Sequence, residues 1–215
     1  MKRRTKYALI AMAAALVLLA SVIAVYAYLS DRGEMENKFT VGNNSIEIDE
    51  DFDPPPELKE GDNPFIKRVR VSNTGNVPCY VRVFFDFSDS VVKENAKISS
   101  DDAAKDNFDT LQWYSYEEYK EHLPEGWVYI SVLDDPLLGG YFYYTEPLPV
   151  GEKTPYLFQA VNAVFDEADH PVTDFEIIII ADSVQVADKD GREFEGDDAY
   201  RAAFTEFLSG EGAKA

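Results

Sequence analysis

Period-two alternation, closely spaced turn signals and one helical stripe at the C-terminal end predict an all-β fold. The expected architecture is an antiparallel β-sandwich with a polar or helical insertion and a C-terminal helix. The clearest alternation runs from Cys79 to Phe87. Cys79, Val81, Val83, Phe85 and Phe87 share one face, while Tyr80, Arg82, Phe84 and Asp86 share the other. The mixed composition of that second face fits an antiparallel sheet with one buried side. The helical stripe is Tyr200, Ala203, Phe204, Phe207 and Leu208, at i, i+3, i+4, i+7 and i+8.

At the N-terminus, Met1 to Lys6 is basic and Tyr7 to Leu29 carries no charge, a run long enough to span a bilayer. A retained anchor and a cleaved leader both fit. Val25-Tyr26-Ala27 has the small-x-small pattern of a signal peptidase site, so cleavage between Ala27 and Tyr28 is expected. With the basic flank held in the cytoplasm, either reading places the rest of the chain outside. The expected organisation is a signal peptide at 1–27, an N-terminal strand arm at 28–50 and a sandwich domain at 51–215, with an insertion at about 88–124.

Within the arm, Phe39 and Val41 share a face, and Ile46 and Ile48 form a second short alternation beyond Gly42-Asn43-Asn44. Asp49 to Pro56 reads as an acidic, proline-rich break and Gly61-Asp62-Asn63-Pro64 as a turn. Val69 and Val71 begin strand material that turns at Asn73-Thr74-Gly75-Asn76. Ser88 to Asp106 is polar, and Asp109 to His122 reads as a surface helix with Leu111, Tyr114 and Tyr119 facing inward. Strands resume at Trp127–Leu133, Tyr141–Tyr144 and Leu157–Val164. Phe175 to Val186 carries Ile177-Ile178-Ile179-Ile180, a β-branched run expected to be a central strand covered on both faces. Asp197 or Asp198 suits the start of the last helix.

The 215 residues hold 40 acidic and 20 basic side chains, a formal charge of −20. Removing the leader takes four bases, leaving 16 against 40 acids, a net charge near −24. Such a surface disfavours nucleic acid and anionic membrane, favours solubility, and leaves room for weak Ca²⁺ binding by acidic loops. The single cysteine, Cys79, lies in an apolar alternation and reads as a buried, inert thiol; no intrachain disulfide is available.

No catalytic pattern emerges, and the chain is read as a non-enzyme without a cofactor. A zinc hydrolase needs paired imidazoles, yet only His122 and His170 are present and neither has a partner at ligand spacing. Asp188-Lys189-Asp190-Gly191-Arg192 lacks the full calcium-loop spacing and reads as a turn. The aromatics around Trp113–Tyr119 and Tyr141–Tyr144 raise a sugar-stacking reading, against which core packing and cross-strand pairing are the plainer account.

Several segments resemble one family in order. Ala27-Tyr28-Leu29-Ser30-Asp31 followed by Asn37-Lys38-Phe39-Thr40-Val41-Gly42-Asn43 is similar to the junction of proteins exported with a SipW-type signal peptide. Lys67 with Val69-Arg70-Val71-Ser72-Asn73-Thr74-Gly75, then Tyr80-Val81-Arg82-Val83, and later Tyr143-Tyr144 with Leu148-Pro149-Val150-Gly151-Glu152, resemble strands and turns of the TasA and camelysin family of biofilm matrix and surface proteins. The resemblance touches residues 1–87 and about 140–186. It implies a jelly-roll sandwich, secretion to the matrix or cell surface, and fibre assembly by strand complementation. The donor would be the arm freed by signal peptidase, with Phe39, Val41, Ile46 and Ile48 as its alternating side chains. Implied partners are further copies of the chain and other matrix or cell-surface components, with membrane contact only through an uncleaved leader. The alternatives are a monomeric adhesin or ligand-binding module using the 88–124 insertion and, more remotely, a camelysin-like metalloendopeptidase.

Overall fold

Strand pairing in the computed structural model follows the alternation from Cys79 to Phe87 residue for residue. The described residues are 42–102, 107–166 and 168–212. The leader, the Ala27–Tyr28 junction, Phe39 and Val41 lie outside them.

The strands are β1 (Ile46–Asp53), β2 (Gly61–Asn73), β3 (Cys79–Phe87), β4 (Lys97–Ser99), β5 (Tyr114–Ser115), β6 (Trp127–Ile130), β7 (Tyr141–Leu148), β8 (Phe158–Phe165) and β9 (Ile177–Gln185). Helices α1 (Ser90–Asn95), α2 (Tyr116–Tyr119) and α3 (Ala199–Gly212) complete the described elements. One sheet has the order β1-β2-β8-β4-β5 and the other β6-β7-β3-β9, with antiparallel neighbours throughout. This is the predicted all-β antiparallel sandwich. Consecutive strands β2, β3 and β4 pass from sheet to sheet and back.

The inward faces meet in a core centred on Phe85. Its ring lies 4.8 Å from Phe142 and from Phe158, and 5.2 Å from Tyr116. A second cluster lies outside the β6-β7-β3-β9 sheet, where α3 packs Ala199, Tyr200, Ala203 and Phe204 over Tyr80 and Tyr143. Arg82 is buried beneath that helix, its guanidinium paired with Asp182 at 2.8 Å and stacked 4.0 Å from the Tyr141 ring. The helical stripe docks through Tyr200, Ala203, Phe204 and, partly buried, Leu208, whereas Phe207 stays 41% exposed.

Four expectations need correction. Asp49 to Asp53 continues β1 instead of breaking it, because bases on β2 meet its acids: Asp49 with Arg70 at 2.8 Å, Asp51 with Arg68 at 2.8 Å, and Glu50 with Lys67 at 2.5 Å. Gly61 to Pro64 opens β2 rather than turning. Strand β1 ends opposite Ile66, so among the described residues Pro64 sits where β2 has β8 alone as strand neighbour. The long surface helix at 109–122 shrinks to α2. A reciprocal capping box between Ser115 and Glu118 starts it, and Tyr114–Ser115 pairs with β4 instead. Among the described residues the isoleucine run is not central: β9 ends the order of described strands in its sheet, and Ile178 and Ile180 are 40% and 49% exposed.

The insertion is part of the sandwich. Val92, Ala96, Ile98, Tyr116 and Tyr119 are core residues, and the Tyr119 hydroxyl donates to the Leu157 carbonyl.

Candidate assembly edge

Strand β9 pairs with β3 in an unbroken register from Cys79–Gln185 to Phe87–Ile177. One position further along the same register, the Ser88 amide donates to the Glu176 carbonyl at 2.9 Å. Antiparallel geometry then fixes the direction of every backbone group. Ile178, Ile180, Asp182 and Val184 bond inward to β3. Ile177, Ile179, Ala181, Ser183 and Gln185 present their amides and carbonyls to the outer edge. No described strand pairs with that edge.

Side-chain directions alternate with the backbone. Ile177, Ile179 and Ala181 point into the core cluster, while Ile178 and Ile180 face solvent. Register aligns Ile180 with Phe84, whose ring lies 5.9 Å from that of Tyr141 on β7. An apolar row therefore runs across the outer sheet face to the open edge. Natural edges are guarded by lysine, proline, bulges or a covering element. From Ile177 to Gln185 there is no lysine, proline or register shift, and the one charge, Asp182, is held by Arg82.

The root of the arm is fixed at one end of this edge. Gln185 donates through Nε2 to the Gly42 carbonyl at 2.9 Å. Residues 43–45 lie along the turn after β2: the Thr74 amide donates to Ser45 and the Asn76 amide to Asn43, each at 3.0 Å. Gly75 is required there, since a Cβ would come within 2.3 Å of the Asn43 carbonyl oxygen. Asn73 braces the turn, accepting from the Gly75 amide and donating to the Val77 and Leu148 carbonyls, each at 2.9 Å.

Of the sequence-selected donor residues, Ile46 and Ile48 are half-buried in β1, opposite Asn73 and Val71 of the same chain. They hold the arm's base to its own sheet. The acid–base ladder assists. Hydrogen bonds from Lys153 (2.7 Å) and Arg70 (2.8 Å) hold the Asp49 carboxyl below its ordinary pKa. A depressed carboxyl stabilises the fold in full above its unfolded value near ~3.9, and that contribution is lost as pH falls through the lower folded value. Acidification below about pH 4 is therefore expected to loosen β1 before the core, with Asp49→Asn removing part of the pH dependence. Amide exchange of Ile46–Asp53 across pH 3–6 would read this.

The other candidate groups make local contacts. His122 stacks 4.2 Å from the Tyr114 ring and bonds through Nδ1 to the Glu118 carbonyl at 2.9 Å. His170 closes a bridge with Asp166 on the β8–β9 connection. Asp188 spends its carboxylate on the Asp190 and Arg192 amides at 2.8 and 2.9 Å, as an Asp-Gly turn does. Among the described residues, no group of three or more His, Cys, Asp or Glu side chains is placed to hold a metal ion. Cys79 is buried, and burial pushes its thiol up to about 11. Tyr116, Tyr119, Phe142 and Tyr143 are buried, and Trp113 packs on the Ile66 cluster. Among the described residues, no helix is long and apolar enough to cross a membrane. Compared with protein-family models and with curated proteins, the chain matches none.

Proposed function

We propose that this chain is an extracellular structural subunit of the TasA-like kind, exported by a leader cleaved after Ala27 and assembled by strand complementation, without catalytic activity. The observation that carries this reading is the β9 edge, with which no described strand pairs, together with its outward backbone groups and exposed isoleucines. In this account a neighbouring copy's arm, with Phe39 and Val41 in alternation, adds to that edge. Main-chain hydrogen bonds supply affinity and alternating apolar side chains set register. The motif resemblance at Ala27–Asp31 and Asn37–Asn43 supports the cleaved-leader step. The anchored root at Gly42 supports an arm with a fixed origin beside the edge. The adhesin alternative has less support, because the insertion it relies on gives Val92, Ile98, Tyr116 and Tyr119 to the core.

Removing residues 28–41 tests the reading. Protein beginning at Tyr28 is expected to form fibres, and protein beginning at Gly42 to remain monomeric with an unchanged circular dichroism spectrum. Both are scored by sedimentation and negative-stain microscopy. Fibres formed equally well without the arm would reject strand donation.

A further inference from the structure

A second surface lies between β1, the proline segment after it and the residues leading into β9. The alternation of β2 places Lys67 on the same face as Phe65 and Val69, so a lysine stem enters the sandwich where an apolar side chain would be expected. Its ammonium lies 4.4 Å from the centroid of the Phe52 ring and 2.5 Å from Glu50. Phe52 itself is half-exposed and packs edge-on against Phe65, with centroids 5.8 Å apart. Beside this group opens a cavity of about 560 Å³, within the size range of binding sites for small groups and side chains. Phe52, Phe65 and Phe175 line it together with the prolines, and Glu57, Asp174 and Glu176 add carboxylates. Lys67 is the only cation among its lining residues, and Glu50 already engages it.

We infer that this cleft takes a lysine or arginine side chain carried by an extended, partly apolar segment of a partner protein. Aromatic faces attract a cation, the more strongly when it is partly desolvated, and the surrounding carboxylates complement it. Lys67 on Phe52 and Glu50 is the same recognition made within the chain. It also occupies part of the site. A partner cation would use the remaining aromatic surface and the Glu57, Asp174 and Glu176 carboxylates, while its apolar neighbours cover the prolines. An anionic segment would meet those carboxylates and be excluded. The surface does not depend on strand donation: fibre formation could fail while this binding persists, and the reverse.

The probe is a capped hexapeptide alternating lysine with leucine, compared with versions carrying glutamine or glutamate in place of lysine. Each is titrated into the exported protein by calorimetry, with amide shifts followed at Phe52, Phe65 and Phe175. The lysine peptide is expected to bind at least tenfold (roughly) more tightly than the other two. The K67M variant should tighten binding roughly three- to tenfold by vacating Phe52 and Glu50, a gain that misfolding would not produce. The E57Q/E176Q variant should weaken it roughly fivefold or more. The D134N/E195Q variant, with the same charge change outside the cleft, should stay within about twofold. Absence of binding, equal weakening by both charge variants, no gain with K67M, or equal binding of the glutamine peptide would each overturn the inference.

Discussion

Replacing Phe85 with alanine is expected to lower the unfolding free energy by roughly 3–5 kcal/mol. The ring sits at the meeting point of both sheets, 1% exposed, against Phe142, Phe158 and Tyr116. Its loss removes a large transfer contribution and leaves a cavity that strand backbones tied into two ladders have little freedom to fill. Domains of this size are stable by only about 5–15 kcal/mol, so the variant would approach the folding threshold at 37 °C. Phe207→Ala is the natural contrast. That ring is 41% exposed on the outer half of α3, and its removal should cost under about 1 kcal/mol. Urea unfolding of both variants checks the pair. Similar midpoints would mean that the core is not centred on Phe85.

The second large effect concerns assembly. Ile178→Lys with Ile180→Lys is expected to abolish fibre formation while the monomer stays folded. Both side chains face solvent, so the folding cost should stay near 1 kcal/mol. Lysines on an edge strand are the device by which natural sheets refuse a further strand. Here they would interrupt the row that runs from Tyr141 through Phe84 to Ile180. Matched thermal melts with complete loss of sedimenting material is the expected result. Fibres formed at the parental rate would place the contact elsewhere.

The sandwich was legible in the sequence wherever one sheet face is buried, because alternation then reports the pleat directly. Cys79 to Phe87 is the plainest case, and the terminal helix is another. Alternation reports faces, however, and not neighbours. The run Ile177–Ile180 looks the same in a central strand as on an edge, and the topology that left it on an edge is set by pairings far away in sequence. The acidic stretch of β1 was opaque for a related reason. Asp49, Glu50 and Asp51 oppose strand formation until Arg70, Lys67 and Arg68 stand across from them. Pro64 misled because proline is excluded from fully paired strand interiors, and the end of β1 leaves β2 one-sided there. In the insertion, the aromatics of 114–119 were visible as a cluster. Their role in the core depends on β4 and β5 joining β8, a pairing too short to leave a period.

Residue-resolved amide exchange of monomer and fibre addresses the assembly claim most directly. Strand addition at the open edge predicts that the Ile177, Ile179, Ala181 and Ser183 amides gain protection on assembly, while Ile178, Ile180 and Asp182, already bonded to β3, change little. Fibres in which those four outward amides exchange as fast as in the monomer would contradict it.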